Sequence, residues 1–462
     1  MSIRFGTSGW RAIIAEEFTF ENVRRVTNAI CSYLINSGAA AMPLVIANDT
    51  RFMGEKFGTL AAELAARKGF NVLLCTSPAP TPAIAWAIRR YCAAGALNFT
   101  ASHNPPEYQG IKFSTADGAP ALPEITRQIE QLIATGEVPE DTTGGSIEVF
   151  HPRDGYLADL GTKIDFSLIA KASGSYAYDP LWGTGRGYLD ESLQGQNLEV
   201  ETIHDWRDVL FGGRSPEPAA DKMDELRDAV LAGNRTLGLA TDGDADRFGI
   251  IDSNGTFIEA NKLIALLADY LLETRGKKLG LARSVATSHL IDRVAETHNV
   301  ELFETPVGFK FIGELINEGK IVLGGEESAG LSIYGHYPEK DGILACLLAT
   351  EVVAARGGTL SDQLENLYSR IGRLESRRIG VTVNSDVSAR LDEILGRMPD
   401  EIGGRKIVSI NRLDGVKFIF TDGSWILMRP SGTEPVVRIY AESESADDLE
   451  DLLEQGKRYL LG

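Results

Sequence analysis

The sequence predicts an α/β protein, and two observations support this prediction. Short apolar segments alternate with amphipathic helical segments up to about residue 370, as in mostly parallel sheets that carry helices on their faces. Beyond that point the pattern changes to strands, a hairpin and a closing helix, which indicates an α+β unit. The chain has 462 residues, a length typical of about three domains.

The alternation occurs three times along the chain. In the first unit we expect strands at 44–47, 72–75 and 96–99 and helices at 55–67 and 82–91. In the second we expect strands at 176–178, 198–203 and 236–241 and a helix at 221–231. In the third we expect helices at 262–273 and 290–298 and strands at 284–287, near 302 and at 321–323.

The C-terminal unit is expected to be smaller. Its predicted elements are a strand at 379–383, a helix at 389–397, a hairpin at 418–428 that turns at Asp422-Gly423, and a helix at 446–460. Candidate linkers lie at 136–145 and 212–218, although the second can equally be an excursion inside a domain. The predicted domains are residues 1–145, 146–255, 256–370 and 371–462.

The composition excludes several functional classes. The chain has 65 acidic and 46 basic residues and a formal net charge of -19, which repels nucleic-acid phosphates and anionic lipids. Asp269 and Glu351 interrupt the most apolar segments before the ~20 residues that a membrane span needs. The four cysteines show neither metal-ligand nor disulfide spacing. We therefore expect a cytoplasmic protein that binds neither nucleic acid nor membrane.

Four polar, glycine-rich loops follow apolar strands, where open sheets place their ligands. The first loop has the sequence Thr-Ala-Ser-His-Asn-Pro at 100–105 and leads to Gly-Ile-Lys at 110–112. Ser102 on this proline-stiffened turn, with His103 beside it and Lys112 further along, can act as a nucleophile or a phosphoryl carrier. The same residues can also form a simple turn with local side-chain hydrogen bonds.

The second loop, at 242–247, places Asp242, Asp244 and Asp246 at alternate positions. Small residues between them allow the carboxylates to converge on one hard cation. Ser253 stands where an EF-hand has its bidentate glutamate, so the spacing favours Mg²⁺ bridged to a phosphate over a closed Ca²⁺ site. Arg247 favours an anionic ligand, and a solvated acidic turn is the alternative.

The third loop, at 324–330, presents Glu326, Glu327 and Ser328 between glycines. Carboxylates and hydroxyls of this kind can hold sugar hydroxyls, although a plain acidic turn explains the pattern equally well.

The fourth loop, at 429–435, combines an arginine, two hydroxyls and a glycine, which together can surround a phosphate. Arg11 ends a weaker donor-rich segment at 6–11. Together, the loops predict a phosphorylated polyol that a metal and a hydroxyl nucleophile handle in a cleft shared by the domains.

At these residues the sequence resembles the α-D-phosphohexomutase superfamily, and the resemblance covers nearly the whole chain. The motifs of the family occur in order: the phosphoserine loop at 100–105, the metal loop at 242–247, the sugar loop at 325–328 and the phosphate loop at 429–433. The resemblance implies three similar α/β domains with mixed, mostly parallel sheets and a smaller C-terminal α+β domain around a central cleft.

Within the superfamily, the segments 305–311, 325–328 and 339–342 are more similar to phosphoglucomutases than to the phosphoglucosamine branch. Many phosphomannomutase/phosphoglucomutase members carry a histidine where this chain has Gly330, so the role of that histidine cannot be transferred. Lys340 then becomes a candidate contact to the sugar or its phosphate.

The resemblance also implies a mechanism. Ser102 carries a phosphoryl group, and Mg²⁺ is bound by Asp242, Asp244, Asp246 and an oxygen of that group. The implied reaction interconverts glucose 1-phosphate and glucose 6-phosphate through a bound 1,6-bisphosphate that reorients in the cleft. Mg²⁺ and glucose 1,6-bisphosphate, as activator and intermediate, are therefore the expected cofactors.

Roles of further residues follow from the same resemblance. Lys112 is the first candidate for the general acid or base and His103 the second, with Arg11 and Arg247 as electrostatic partners. The expected substrate-binding residues are Gly308, Glu326, Ser328, Lys340, Arg429, Ser431, Gly432 and Thr433. Because glucose and mannose differ only at C2, a mannose or dual-specificity phosphomutase is the main alternative. A metal-dependent sugar phosphatase and a non-catalytic sugar-phosphate-binding protein are remote alternatives, and no oligomeric state is predicted.

Overall fold

The computed structural model describes residues 3–6, 9–136, 138–396, 399–431 and 436–462. These residues form four domains, each built on one sheet. The first three are α/β and the fourth is α+β, which confirms the predicted fold class.

The first domain covers its sheet with helices. Its elements are β1 (Trp10–Ile13), α1 (Phe20–Asn36), β2 (Leu44–Asn48), α2 (Gly54–Arg67), β3 (Asn71–Cys75), α3 (Thr81–Arg90), β4 (Gly95–Phe99), β5 (Tyr108–Thr115), α4 (Pro123–Thr135) and β6 (Ser146–Phe150). The strand order is β1-β5-β4-β2-β3-β6, and β5 is antiparallel to both of its neighbours. Because β6 pairs with β3, the first sheet extends past the predicted domain boundary at residue 145 to Phe150.

The second domain has a similar design. Its elements are α5 (Arg153–Leu160), α6 (Phe166–Ala172), β7 (Ser175–Asp179), α7 (Leu189–Gln194), β8 (Glu199–Thr202), short 3₁₀ turns at Phe211–Gly213 and Ala220–Lys222, α8 (Asp224–Ala232), β9 (Leu237–Thr241), β10 (Phe248–Asp252) and β11 (Phe257–Ile258). The strand order is β11-β10-β9-β7-β8, with β9, β7 and β8 parallel.

The third domain repeats the pattern. Its elements are α9 (Ala260–Thr274), β12 (Gly280–Ser284), α10 (Leu290–His298), β13 (Leu302–Thr305), α11 (Phe309–Asn317), β14 (Ile321–Glu326), β15 (Gly330–Ile333), α12 (Gly342–Arg356) and α13 (Leu360–Ile371). The strand order is β13-β12-β14-β15, and only the β14–β15 pairing is antiparallel.

One strand of the third domain differs from the prediction. We expected it at 284–287, but β12 lies earlier and includes a charged residue, Arg283. Arg283 is buried because its guanidinium donates to Asp292 Oδ1 and to Glu304 Oε1, each at 2.7 Å. Two ion pairs therefore allow a strand to pass through a position that apolar patterning assigns to a loop.

The fourth domain is antiparallel throughout. Its elements are β16 (Glu375–Thr382), α14 (Ser385–Gly396), β17 (Glu401–Ile402), β18 (Arg405–Asn411), β19 (Val416–Phe420), β20 (Trp425–Pro430), β21 (Val436–Ser443) and α15 (Ala446–Leu461). The strand order is β16-β21-β20-β19-β18-β17. The predicted hairpin is present as β19 and β20.

Three of the four predicted loops occupy equivalent places in their sheets. In each α/β domain, a parallel strand is followed by an antiparallel one, as β4–β5, β9–β10 and β14–β15. The first three loops connect these pairs, and the fourth connects β20 to β21. The first three therefore lie at the carboxyl ends of parallel strands, as the sequence predicted.

Helix α12 joins the cores of the second and third domains. Residues 342–352 of this helix are all buried, so it is enclosed on every side. Asp341 caps the helix, because its Oδ1 accepts from Leu344 N at 2.8 Å. Asp341 Oδ2 accepts from the Tyr156 hydroxyl at 2.6 Å and lies 2.8 Å from His336 Nε2. One carboxylate thus ties α5 of the second domain to the start of α12.

Within the described ranges, no single helix is long and apolar enough to cross a membrane, although α12 and α13 meet that criterion as a pair bent by 78°.

The Asp341 contacts predict a large effect on stability. Asp341→Ala removes a helix cap, which contributes about 1 kcal/mol, and leaves two buried partners unsatisfied at about 1–3 kcal/mol each. We expect the free energy of unfolding to fall by about 3–7 kcal/mol in urea denaturation followed by tryptophan fluorescence. Tyr156→Phe, which leaves the cap intact, should cost about 1 kcal/mol. Equal stabilities for the two variants would contradict this account.

Candidate active site

Ser102 lies on the loop after β4, residues 100–107, which we call the Ser102 loop. It is buried and adopts a left-handed backbone with φ 53°, a conformation that costs energy at a non-glycine residue. Two hydrogen bonds hold it there: its N–H donates to Thr100 Oγ1 at 2.8 Å, and its carbonyl accepts from Arg51 Nη2 at 2.6 Å. Its hydroxyl donates to Asp242 Oδ2 at 2.8 Å. The structure therefore brings the first and second predicted loops into contact.

Sequence analysis missed Arg51, which organises the Ser102 loop. Its side chain is fully buried, and its Nε lies 3.3 Å from Asp49 Oδ2. Its two terminal nitrogens donate to the carbonyls of Ser102, Asn104, Pro105 and Tyr108, at 2.6, 2.5, 2.8 and 3.0 Å. The sequence did contain one indication of its role: the charged residues Asp49 and Arg51 come directly after the apolar strand β2, at the sheet edge where Ser102 lies.

The second loop, residues 242–247, is called the aspartate loop. Asp242, Asp244 and Asp246 are fully buried, and carboxylate oxygens of the three lie within 4.8 Å of one another. Asp242 Oδ1 accepts from the backbone N–H groups of Asp246 and Arg247 at 3.0 and 3.1 Å. Local backbone geometry therefore fixes the first carboxylate.

Side chains from other domains reach the remaining two carboxylates. Lys112 Nζ donates to Asp244 Oδ2 at 2.6 Å and to Asp246 Oδ2 at 2.7 Å. Thr81, which the sequence analysis did not single out, donates to Asp244 Oδ2 at 2.6 Å. Lys340 Nζ lies 3.0 Å from Asp246 Oδ2. Residues of the first and third domains therefore meet at the aspartate loop of the second.

The aspartate loop fits a divalent metal. The second oxygens of Asp244 and Asp246, both Oδ1, are buried without a hydrogen-bond partner among the described residues. Buried carboxylate oxygens without donors are costly unless they meet a cation, and Mg²⁺ prefers such hard oxygen ligands. Burial and the two neighbouring carboxylates also raise the pKa of Asp242, so a bound cation would favour its ionised form.

The two candidates for proton transfer differ in charge. Burial alone would lower the pKa of Lys112, but Asp244 and Asp246 outweigh burial and hold this pKa above its ordinary value. Burial, together with the charges of Arg247 and Arg11, holds the pKa of His103 well below its ordinary value. Lys112 is therefore a cation at neutral pH and His103 is neutral. His103 Nδ1 lies 3.4 Å from Ser102 Oγ.

Of the two predicted electrostatic partners, Arg11 lies beside the Ser102 loop and Arg247 is the last residue of the aspartate loop. Arg11 Nη1 donates to Asn104 Oδ1 at 2.7 Å, and burial lowers the pKa of Arg11 to about 10. Arg247 Nη1 lies 3.7 Å from Glu217 Oε1, while its buried Nε has no hydrogen-bond partner among the described residues. A buried guanidinium nitrogen with spare capacity suits an anionic ligand.

The third loop carries a buried carboxylate. Glu326 Oε1 accepts from Gly308 N at 2.7 Å, so two predicted substrate-binding residues touch each other. Burial and the charge of Glu327 raise the pKa of Glu326 to about 7. Ser328 is half-buried on the same loop.

Gly330 explains how Lys340 reaches the aspartate loop. A Cβ atom at position 330 would lie 2.2 Å from Lys340 Cδ, which is closer than two carbon atoms can approach. The side chain of Lys340 therefore occupies the space that any side chain at 330 would need. The absence of a side chain at 330 and the Lys340–Asp246 contact are linked.

The fourth loop reaches the site through the third domain. Arg429 Nε donates to Asp414 Oδ2 at 2.7 Å, and the same oxygen accepts from Val307 N at 3.0 Å. Val307 precedes Gly308, whose N–H donates to Glu326. Within the described part of the chain, no hydrogen bond or ion pair joins Arg429 directly to Ser102. Ser431 N donates to Val436 O at 2.8 Å, while Gly432 and Thr433 lie outside the described residues.

Comparisons with known proteins agree with this geometry. Models of the four phosphoglucomutase/phosphomannomutase domains match the chain in order: alpha/beta/alpha domain I at 2–140, domain II at 154–255, domain III at 259–371 and the C-terminal domain at 383–456. A phosphoglucomutase/phosphomannomutase from Thermococcus kodakarensis is 31% identical over 99% of this chain and 98% of its own length.

Two further relatives carry different substrate names. A provisionally named phosphoglucosamine mutase from Methanosphaera stadtmanae is 30% identical over 99% of this chain and 98% of its own. The crystal structure of a provisionally named phosphomannomutase from Thermus thermophilus has a TM-score of 0.87 and 33% identity, over all of both chains. The chain belongs to the phosphoglucomutase/phosphomannomutase family, whose members are phosphohexomutases and hence intramolecular phosphotransferases.

Proposed function

We propose that this protein is a phosphoglucomutase that interconverts glucose 1-phosphate and glucose 6-phosphate, with Ser102 as the phosphoryl carrier. One observation carries the proposal: the buried hydroxyl of Ser102 donates to Asp242, within the group of carboxylates that fits a divalent metal. A carrier serine needs a cation beside the group it transfers, because charge on that group must be neutralised as it moves. The proposed intermediate is glucose 1,6-bisphosphate, which reorients before Ser102 recovers the second phosphoryl group.

The metal would be Mg²⁺, held by Asp242, Asp244, Asp246 and an oxygen of the phosphorylated Ser102. When bound, it would neutralise negative charge on the phosphoryl group that is being transferred. The protein's own cations complete that field, because Arg247 and Lys340 lie beside the same loop.

The charges of the two proton-transfer candidates divide their roles. Lys112 is a cation and can donate a proton, whereas neutral His103 can accept one. In the proposed mechanism, Lys112 protonates the departing serine oxygen and His103 accepts the proton of the attacking sugar hydroxyl. His103 Nδ1 lies 3.4 Å from the Ser102 hydroxyl, so His103 is adjacent to the proposed carrier.

The remaining residues are proposed to hold the sugar phosphate. Glu326, Ser328 and Lys340 would contact the sugar hydroxyls, with Gly308 fixing the Glu326 carboxylate. The phosphate that is not reacting would lie on the fourth loop, at Arg429, Ser431, Gly432 and Thr433. Glu326 and Ser328 would hold the O3 and O4 hydroxyls of the sugar. A loop that holds these two hydroxyls does not contact C2, where glucose and mannose differ, so mannose 1-phosphate is the second proposed substrate. The phosphoglucomutase similarity of segments 305–311 and 339–342 supports glucose as the first.

The proposal predicts turnover that depends on Ser102. In a coupled assay with Mg²⁺ and a trace of glucose 1,6-bisphosphate, we expect the wild type to convert glucose 1-phosphate faster than mannose 1-phosphate. Ser102→Ala should lower kcat by about 10³-fold or more, because it removes the carrier. Ser173→Ala is the matched control: Ser173 is an exposed serine with the same φ of 53°, and it should change nothing. Release of inorganic phosphate without isomerisation would indicate a phosphatase instead.

A second prediction concerns pH. Because the pKa of Glu326 is raised to about 7, its carboxylate is lost as the pH falls through 7, and with it the acceptor for sugar hydroxyls. We expect kcat/KM for glucose 1-phosphate to fall on the acid side with an apparent pKa near 7. Glu326→Gln should lower kcat/KM about tenfold and remove the contribution of Glu326 to this loss of activity at low pH.

Glu327→Gln is the control for this pH prediction. The Glu327 charge raises the Glu326 pKa. Removing that charge should therefore shift the fall of kcat/KM at acid pH to lower pH without abolishing it. If kcat/KM of Glu326→Gln still falls with an apparent pKa near 7, the ionisation belongs to another group.

A third prediction tests the link between positions 330 and 340. Gly330→Ala places a Cβ against Lys340 and should displace its ammonium from Asp246, lowering kcat/KM about tenfold. In a Lys340→Ala background the same change should have little further effect, because the two changes remove one interaction. Gly380→Ala, where a Cβ meets no atom within 4 Å, serves as the control. Independent, additive effects at 330 and 340 would refute the link.

A further inference from the structure

Residues 203–219, which we call the strap, connect β8 to α8 of the second domain. The sequence analysis placed part of this segment, 212–218, as a linker or an excursion inside a domain. The structure shows an excursion, because β8 and the strand that follows α8 belong to the same sheet. The strap leaves that sheet and contacts the first domain.

The strap holds Arg51 from two sides. The Phe211 ring is fully buried, and its centroid lies 4.9 Å from the guanidinium carbon of Arg51. Arg207 Nε donates to the carbonyl of Thr50 at 3.1 Å, and Arg207 Nη2 donates to that of Arg51 at 3.4 Å. One strap residue thus contacts the Arg51 side chain, and another contacts its backbone.

The strap also contacts the aspartate loop. Gly243 N donates to Pro216 O at 3.2 Å. A Cβ at Gly243 would lie 2.8 Å from the Ser102 carbonyl oxygen and 3.0 Å from Pro216 Cγ. The aspartate loop is therefore enclosed between the strap on one side and the Ser102 loop on the other.

These contacts close a ring of interactions between two domains. Arg51 holds the carbonyl of Ser102, Ser102 donates to Asp242, and the strap that contacts Arg51 belongs to the domain of Asp242. The separation of Ser102 Oγ from Asp242 crosses a domain boundary, so neither sheet can fix it alone. A contact that fixes Arg51 relative to the second domain fixes this separation as well.

We propose that the strap is a positioning element for phosphoryl transfer, with Phe211 and Arg207 as positioning residues that act through Arg51 on Ser102. The proposal rests on the proposed function, since it assigns Ser102 as the carrier. The strap contacts residues around Ser102, and among the described residues no hydrogen bond or ion pair joins it to the third loop, at 324–330. The proposal therefore predicts that the strap affects kcat. A cation over a buried aromatic face is a strong, directional contact that an aliphatic side chain cannot replace.

Phe211→Leu tests the proposal, because it removes the ring face but keeps an apolar side chain. We expect kcat for glucose 1-phosphate to fall about 5- to 30-fold with KM unchanged, the fold-change that loss of a desolvated cation–π contact gives. Amide hydrogen exchange of residues 100–110 in the full-length protein should become faster in this variant. Trp206→Leu is the matched control: Trp206 lies on the same strap, is 55% exposed and packs against Trp182 and His204, so it should change neither readout.

Two outcomes would overturn the proposal. One is wild-type kcat together with wild-type exchange at 100–110 in Phe211→Leu. The other is exchange that rises evenly across all four domains, which shows general loss of stability and no positioning. If Phe211→Leu does not fold, Arg207→Met, at a partly exposed side chain, tests the strap's other contact, with the backbone at Thr50 and Arg51, by the same readouts. Exchange does not depend on turnover, so it decides the role of the strap even if the wild type proves not to be a mutase.

Discussion

Three carboxylates buried on one turn of the second domain impose the constraint on which the rest of the structure depends. Asp242, Asp244 and Asp246 repel one another, and burial without compensating charge would favour their neutral forms. Arg247 supplies part of the compensating charge from the loop itself, and the rest comes from Lys112 of the first domain and Lys340 of the third. Three domains therefore converge on this turn.

The same constraint resolves a conflict between overall and local charge. The chain carries a formal net charge of -19, yet the proposed substrate is anionic and a phosphoserine adds about -1.5 to -2. Arg11, Arg51 and Arg247 join the two lysines around Ser102, so five cations stand beside the buried carboxylates where the anionic groups would bind. The fourth domain contacts the third through Asp414, whose carboxylate accepts hydrogen bonds from Arg429 and from the backbone of Val307. Val307 precedes Gly308, whose N–H donates to Glu326.

Sequence analysis predicted the features that depend on neighbouring residues, and it missed the contacts between residues that are far apart in the chain. The aspartate loop was found because its carboxylates are contiguous, and the domain pattern was found because strands and helices alternate regularly. Arg51, Thr81 and Phe211 were missed because each acts on a loop more than 50 residues away in the chain, and no local pattern marks such a partner. Strand β12 was misplaced because buried ion pairs at Arg283 override its charged appearance.

The most direct test of the central claim is to locate the phosphoryl group on the protein. The full-length chain would be incubated with Mg²⁺ and glucose 1,6-bisphosphate, and its intact mass and peptide masses measured before and after a chase with glucose 1-phosphate. The account predicts one phosphoryl group, on Ser102, that the chase transfers to the sugar. A phosphoryl group on another residue, or one on Ser102 that the chase cannot remove, would contradict it.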